Sequence, residues 1–136
     1  MALFNTGGFT IHLGRTSSWT INCAEFTEED WECVAELIAE RYPNFEMVAG
    51  VSYFGKMLAE HLEQYATHGG ILLVDDILWL PTMNSTRLYW RTRKNWSKHD
   101  IQGFVIFSCI PCPNWIRSLW HLDVRIETWR EYSGSQ

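Results

Sequence analysis

Two adjacent carboxylates next to an apolar run are the residues of this chain with the clearest chemical potential. Residues 70–78 read Gly-Ile-Leu-Leu-Val-Asp-Asp-Ile-Leu, which places Asp75 and Asp76 after a run typical of a strand buried on both faces in a mostly parallel sheet. Open sheets of this kind bind ligands at the carboxyl ends of their strands. The pair is therefore a candidate site for ligand hydroxyls, and the alternative is a solvated turn in which the acids only end the strand.

The residues after the pair favour an anionic ligand. Neighbouring side chains of a strand point to opposite faces, so both acids serve one site only if the chain is already turning into a loop there. Asn84 or Ser85 is placed to cap a helix that begins near Thr86. The free amides of a helix start bind phosphate, so acids for hydroxyls beside such amides indicate a phosphorylated sugar.

The elements around the pair alternate between strands and helices. Thr27 followed by acids predicts a helix start, and Trp31, Val34, Ala35 and Ile38 repeat at helical spacing. The pattern predicts one α/β domain over residues 1–136, with a mostly parallel sheet flanked by helices and right-handed crossovers. We expect strands at 45–49, 71–77 and 102–108, a second helix at 56–65, an irregular aromatic tail around Trp115 and Trp120, and frayed ends at 1–7 and 133–136.

Four segments occur in the order of a known family. They are Phe9–Gly14 with Ser17–Cys23, Gly50–Gly55, the Asp75-Asp76 strand, and Gly103–Phe107 followed by Pro111–Trp115 and Ser118–Trp120. The chain resembles the type I phosphoribosyltransferases, and specifically the short orotate phosphoribosyltransferase-like proteins of bacteria and phages. The resemblance implies the fold of that family, with an N-terminal strand, and a protein that binds a phosphorylated ribose or a nucleotide.

The resemblance also implies a reaction, in which a nucleobase such as orotate displaces magnesium-bound pyrophosphate from phosphoribosyl pyrophosphate. Magnesium would be held by the ligand's own oxygens and by water. No catalytic residue and no protein metal site is assigned. The implied site residues are Asp75 and Asp76 for the ribose, Thr82, Met83, Asn84 and Ser85 for the 5′-phosphate, Ser52, Tyr53, Phe54, Gly55 and Lys56 for the pyrophosphate, and Phe9, Ile11, Ser18, Trp19 and Trp79 for the base.

Two loops depart from the family pattern. Residues 79–82 read Trp-Leu-Pro-Thr where the family has a Thr-Thr-Gly-x-Thr loop, and Pro81 has no amide to donate to a phosphate. Tyr53-Phe54 replaces an Arg-Gly pair, although Lys56 follows. The alternative function is therefore a catalytically inactive member, acting as a nucleotide sponge or as a phage accessory protein that binds a host protein. Trp79 either stacks on a base or blocks the pocket.

Charge and composition limit the partners. The 136 residues carry a net charge of −5, which disfavours general nucleic-acid binding. Five of the eleven basic residues cluster within 87–98, as a solvated helix end or a phosphate or RNA site. The cluster consists of Arg87, Arg91, Arg93, Lys94 and Lys98. The absence of a secretory signal and of an apolar run of ~20 residues predicts a cytoplasmic protein (host cytoplasm if phage-encoded) with no membrane partner. A homodimer and a protein partner stay open.

The cysteines and histidines form no recognisable site. Cys109 and Cys112 make one C-x-x-C, but Cys23 and Cys33 are too widely spaced to complete a usual zinc site. We interpret the cysteines as reduced thiols. The five histidines lack ligand spacing, and none is a convincing base.

Overall fold

The computed structural model describes residues 3–10, 16–78, 83, 86–88, 97 and 100–122, and for residues 4–10 and 16–20 it describes the backbone alone. These residues divide into two compact units, one within residues 1–26 and one spanning Thr27–Leu122. None of the helices in the described ranges combines the length and the apolar character that crossing a bilayer requires.

The first unit is built on an antiparallel hairpin. Strand β1 (Phe4–Thr10) pairs with β2 (Thr16–Ile21), and the register shifts between Thr6 and Phe9, where two glycines stand. A short 3-10 helix, Cys23–Glu25, follows and is capped by the side chain of Asn22. The predicted N-terminal strand is thus present, but residues 4–7, which we expected to be frayed, already belong to it.

The second unit contains four parallel strands in the order β3-β4-β5-β6. Their bounds are β3 (Phe45–Gly50), β4 (Gly70–Leu78), β5 (Ile101–Ser108) and β6 (Ile116–His121). Residues 71–74 of β4 are at most 1% exposed, so this strand is covered on both faces. The predicted α/β class, with a parallel sheet flanked by helices, is confirmed, and β4 is an interior strand.

Two helices pack beside the sheet. Helix α1 (Glu28–Arg41) begins with a reciprocal capping box, in which Thr27 and Asp30 each accept a hydrogen bond from the other's amide. Its four predicted apolar positions are its buried ones. Helix α2 (Tyr53–Leu62) starts three residues earlier than predicted, because Ser52 caps it, and it packs on β3, β4 and α1.

The C-terminal part of this unit corrects one prediction. Residues 116–121 form β6, not an irregular tail, and only residues 109–115 connect it to the parallel strand β5. Parallel pairs usually need crossovers of about a dozen residues or more. Judged from the sequence alone, the short link between β5 and β6 therefore argues against a parallel strand at this position. Trp115 and Ile116 pack with Met83, Ile71 and Ile101 in one buried cluster, which holds this link against the sheet.

Candidate ligand-binding site beside the end of strand β3

The candidate site lies where β3 stops and β4 continues. Gly50 opposite Val74 is the last registered pair of these strands, and the amide of Val51 donates to the Val74 carbonyl over 2.9 Å. On its other side β4 stays paired with β5 as far as Leu78. Asp75 and Asp76 therefore have a strand on one side and the β3–α2 loop on the other. The pair lies at the carboxyl end of β4, as predicted, but two further strand residues follow it, so the chain is not yet turning into a loop there.

Asp75 is turned into this vacated edge. Its side chain is 6% exposed, and its Oδ1 accepts hydrogen bonds from Ser52 Oγ at 2.5 Å and from the Asp76 amide at 2.9 Å. In a parallel ladder that amide would reach the next carbonyl of β3. Because β3 has ended, the Asp75 carboxyl group takes the place of the missing strand.

The surroundings of Asp75 disfavour its ionised form. Burial, first, and then the hydrogen bond to Asp76 and the charge of Asp76 raise the pKa of the Asp75 carboxyl to about 7. The hydrogen bonds donated by Ser52 and by the Asp76 amide act in the opposite direction on this pKa but are weaker. Near neutral pH, Asp75 thus exists in both the protonated and the ionised form.

Asp76 differs from its neighbour in exposure. Its side chain is half-buried, and its Oδ1 lies 3.5 Å from Ser52 Oγ. The single hydroxyl proton of Ser52 goes to Asp75 over the shorter distance, so the Asp76 carboxylate is the accessible acceptor of the pair. The two acids meet at one hydroxyl even though strand geometry directs their Cβ atoms to opposite faces.

The start of α2 supplies donors next to these acids. Ser52 Oγ accepts from the Gly55 amide at 3.2 Å, and the Ser52 carbonyl accepts from the Lys56 amide at 2.8 Å. These bonds leave the amides of Tyr53 and Phe54 as the helix-start donors, at the positive end of the helix dipole. The side chain of Lys56 is exposed at the same turn. The site thus combines carboxylate acceptors with donors suited to an anion.

Two glycines allow the helix start to come this close to the sheet. A Cβ at Gly50 would lie 2.2 Å from the Lys56 amide nitrogen, which is backbone and cannot move aside cheaply. A Cβ at Gly55 would lie 2.8 Å from the Val74 carbonyl oxygen and 3.1 Å from Asp75 Oδ1. The contact between α2 and the acids therefore depends on the absence of side chains at both positions.

The two aromatic residues in the first turn of α2, Tyr53 and Phe54, differ in exposure. Phe54 stacks on the buried Trp31 of α1 with 6.2 Å between ring centroids, so it anchors the helix start. Tyr53 packs its ring edge-on against Phe54 at 5.1 Å and remains 74% exposed. All five predicted pyrophosphate-loop residues, 52–56, thus lie in one cap and first turn, although only some of them face solvent.

The described structure does not place the other predicted site residues beside Asp75, Asp76 and the start of α2. The Met83 side chain is fully buried in the cluster with Trp115, so only its backbone is left for a phosphate. Trp79, Thr82, Asn84, Ser85 and Ile11 lie outside the described residues, as do the side chains of Phe9, Ser18 and Trp19. Of the predicted basic cluster only Arg87 is described, with its guanidinium carbon 4.6 Å from the Trp115 ring centroid.

A second polar group at the carboxyl ends of the strands was not predicted. Ser108 Oγ lies 3.0 Å from Ser118 Oγ and 2.9 Å from His121 Nδ1, which ties the end of β5 to β6. Ser108 is completely buried, so it acts as a structural link and not as an accessible nucleophile. No sequence signal joins these residues, because strand register and not spacing brings them together.

A furrow of about 350 Å³ lies along α1 and the short 3-10 helix Glu63–Tyr65 that follows α2, and neither Asp75 nor Asp76 lines it. Its lining includes Glu29, Glu32 and Glu36, and three carboxylates make it unsuitable for a phosphorylated ligand. Among the residues that the structure describes, no group of three or more acidic, histidine or cysteine side chains is arranged for a metal ion. Cys109 and Cys112 form no disulfide, and burial raises the pKa of the Cys109 thiol to about 12.

Comparison with solved structures supports the architecture. The chain is similar to an orotate phosphoribosyltransferase from Francisella tularensis, with a TM-score of 0.57 and 14% identity over 98% of this chain and 86% of that one. The fold is of the phosphoribosyltransferase type. No protein-family model matches the chain, and no curated protein matches it by sequence. The fold resemblance inferred from sequence is confirmed at this level, and at 14% identity the likeness shows the fold alone.

Proposed function

We propose that this protein binds a phosphorylated ribose or a nucleotide at the edge formed by the start of α2 and the Asp75-Asp76 pair. The observation that carries the proposal is the meeting of Ser52, at the helix start, with both acids beside the end of β3. A ribose needs acceptors for its hydroxyls and its phosphates need donors, and this edge offers both. The shared phosphoribosyltransferase-type fold supports the same class of ligand.

The geometry gives the two acids different roles in this proposal. Asp76, which is half-buried and has an accessible carboxylate, accepts hydrogen bonds from the ribose hydroxyls. The amides of Tyr53 and Phe54 and the ammonium group of Lys56 bind phosphate or pyrophosphate oxygens. Asp75 is almost fully buried and holds this arrangement together instead of contacting the ligand.

If the protein is an enzyme, the reaction is transfer of phosphoribose. A nucleobase nitrogen, with orotate as the first candidate, would form a bond to C1 of the ribose while the bond from C1 to the pyrophosphate oxygen breaks and pyrophosphate leaves. A magnesium ion in this reaction would be held by ligand oxygens and water. Such an ion would neutralise charge on the leaving group. The protein's own part is to hold the ribose and the pyrophosphate.

The second candidate is a family member without turnover, acting as a nucleotide sponge or as a phage accessory protein that binds a host protein. The burial of Asp75 favours it, because only one of the two acids then remains free for ribose. The Trp79-Leu80-Pro81 sequence favours it as well, since it lacks the glycine that lets a loop wrap a phosphate.

Calorimetric titration with phosphoribosyl pyrophosphate and magnesium tests the proposal, followed by pyrophosphate release with a panel of bases. We expect saturable binding that Asp76→Asn weakens and that Glu46→Gln leaves unchanged. Glu46 is an exposed acid near the other end of β3, so this control removes the same charge from the same sheet. Binding with pyrophosphate release indicates the enzyme, and binding without release indicates the inactive member. Absence of binding by the wild-type protein would refute the proposal.

A further inference from the structure

The ring of Tyr53 lies open to solvent beside the candidate site. Tyr53 is 74% exposed, and the residue before it, Ser52, caps α2 and donates to Asp75. Ser52 Oγ also lies 3.5 Å from Asp76 Oδ1. Because consecutive Cα atoms are about 3.8 Å apart, Tyr53 belongs to the same turn as the carboxylate that we assign to the ribose hydroxyls. A group attached to that ribose is therefore within reach of the ring.

The Tyr53 ring is supported from the core. It meets the Phe54 ring edge-on, at an interplanar angle of 79° and with 5.1 Å between centroids. Phe54 in turn stacks at 18° on Trp31, which is 2% exposed. An edge-on contact fixes a ring while covering little of its surface, which agrees with the exposure of Tyr53. The helix start thus presents a flat aromatic surface that the fold itself does not use.

The charges at this turn suit a single phosphate better than a pyrophosphate. The family resemblance assigns residues 52–56 to a pyrophosphate, but the first turn of α2 contributes one cation, the side chain of Lys56. The carboxyl groups of Asp75 and Asp76 face the same turn, where they would repel the negative charge of a pyrophosphate. An aromatic ring offers nothing to a phosphate oxygen, but it stacks well on a planar base.

We propose that the Tyr53 ring stacks on the base of a bound nucleoside 5′-monophosphate, and that this contact makes the site prefer such a nucleotide to phosphoribosyl pyrophosphate. The amides of the helix start hold the phosphate, Asp76 holds the ribose hydroxyls, and Tyr53 takes the base. This assignment rests on the proposed function, because it requires a sugar phosphate at this edge. Every base has a flat face, so the contact distinguishes nucleotides from sugar phosphates and not one base from another.

The first test is a calorimetric comparison of adenosine 5′-monophosphate with ribose 5-phosphate, which has the same sugar and phosphate but no base. A base stacked on an aromatic side chain should make the nucleotide bind about tenfold more tightly to the wild type. Tyr53→Ala should bring the ratio of the two Kd values close to one, and Tyr53→Phe, which keeps the ring without its hydroxyl, should restore it. Tyr65→Ala removes a half-buried tyrosine from the 3-10 helix after α2 and should keep the wild-type ratio. The same ratio in the wild type and in Tyr53→Ala would overturn the inference and leave the proposed function intact.

The second test detects the contact itself by NMR. Adenosine 5′-monophosphate should shift the ring protons of Tyr53 upfield and give nuclear Overhauser effects between them and the base protons, whereas ribose 5-phosphate should do neither. Phosphoribosyl pyrophosphate with magnesium should bind more weakly than the nucleotide, and tighter binding of it would overturn the inference. Failure of the wild type to bind any of the three ligands would refute the proposed function, and the inference with it.

Discussion

The hydroxyl of Ser52 joins two parts of the chain that are 23 residues apart, because it donates to Asp75 Oδ1 over 2.5 Å while it caps α2. As an acceptor it satisfies the Gly55 amide of the helix, and as a donor it satisfies a buried carboxyl group of β4. The stability of the helix start and the arrangement of the acids are therefore linked through one oxygen atom.

Ser52→Ala tests this double role. We expect it to lower the free energy of unfolding by about 2 to 4 kcal/mol, since loss of the cap costs about 1 kcal/mol and loss of a hydrogen bond to the buried Asp75 carboxyl group costs about 1 to 3 kcal/mol more. Urea denaturation measures the change. Thr27→Ala removes the cap of α1, which has no buried acid beside it, and should cost only the first of these amounts. Equal losses in the two variants would show that the bond to Asp75 contributes nothing.

The raised pKa of Asp75 predicts a specific dependence of stability on pH. The pKa is about 7 in the folded protein and 3.8 ordinarily, so the stabilising contribution of the neutral carboxyl is complete below about pH 3.8 and is lost as the pH rises to 7. The difference corresponds to on the order of 4 kcal/mol. Asp75→Asn should thus gain stability over the wild type between pH 5 and pH 8, as measured by urea denaturation at each pH. A difference that does not change with pH would contradict the raised pKa.

A second titrating pair links α1 to α2. His61 donates or accepts at both ring nitrogens, with Nδ1 2.8 Å from the Met57 carbonyl and Nε2 2.7 Å from Glu28 Oε1. Burial by itself lowers the pKa of His61, but the hydrogen bonds to Met57 and Glu28 and the charges of Glu28 and Glu32 outweigh it, so the pKa is raised. The stabilising contribution is therefore present below the ordinary pKa of histidine, about 6.5, and is lost as the pH rises through the higher folded value.

Glu28→Gln should lower the pKa of His61, because it removes the charged acceptor at Nε2. Titration of the His61 ring resonances by NMR measures the midpoint. Glu29→Gln is the matched control, since Glu29 is also exposed in the first turn of α1 but has no contact with the ring among the bonds described for His61. The same midpoint in both variants would show that the ion pair contributes nothing to the pKa.

The fold was predictable from sequence because its patterns are local. The apolar run of β4 and the spacing of Trp31, Val34, Ala35 and Ile38 each point to one element, and the structure contains both. Strand β6 was missed because its buried and exposed residues do not alternate regularly, and because its connection to β5 is short.

The candidate site was predictable only in part, since its geometry depends on where β3 ends. The sequence marked Ser52, Asp75 and Asp76 as site residues, but it gave them a common orientation towards the ligand. Because β3 ends before β4 does, the Asp75 carboxyl group fills the edge that β3 leaves open. The relative lengths of the two strands, and not the residue type, therefore make Asp75 buried and Asp76 accessible. The bond of Ser108 to His121 likewise depends on strand register alone.

The sequence after β4 provides the prediction that distinguishes the two proposed functions. If Trp79-Leu80-Pro81 replaces a glycine-containing phosphate loop, the native protein should bind phosphoribosyl pyrophosphate weakly and release no pyrophosphate, because oriented amides are what such a loop gives the 5′-phosphate. A graft of Thr-Thr-Gly-Ala in place of these three residues should restore one or two charge-assisted hydrogen bonds, on the order of 1.5 to 3 kcal/mol each. Calorimetry on the native and grafted proteins measures the gain, and Asp76→Asn in the graft should remove the ribose contribution but not that of the phosphate. Turnover of a base by the native chain at an ordinary enzymatic rate would refute the inactive-member alternative and would mean that this loop holds the phosphate without a glycine.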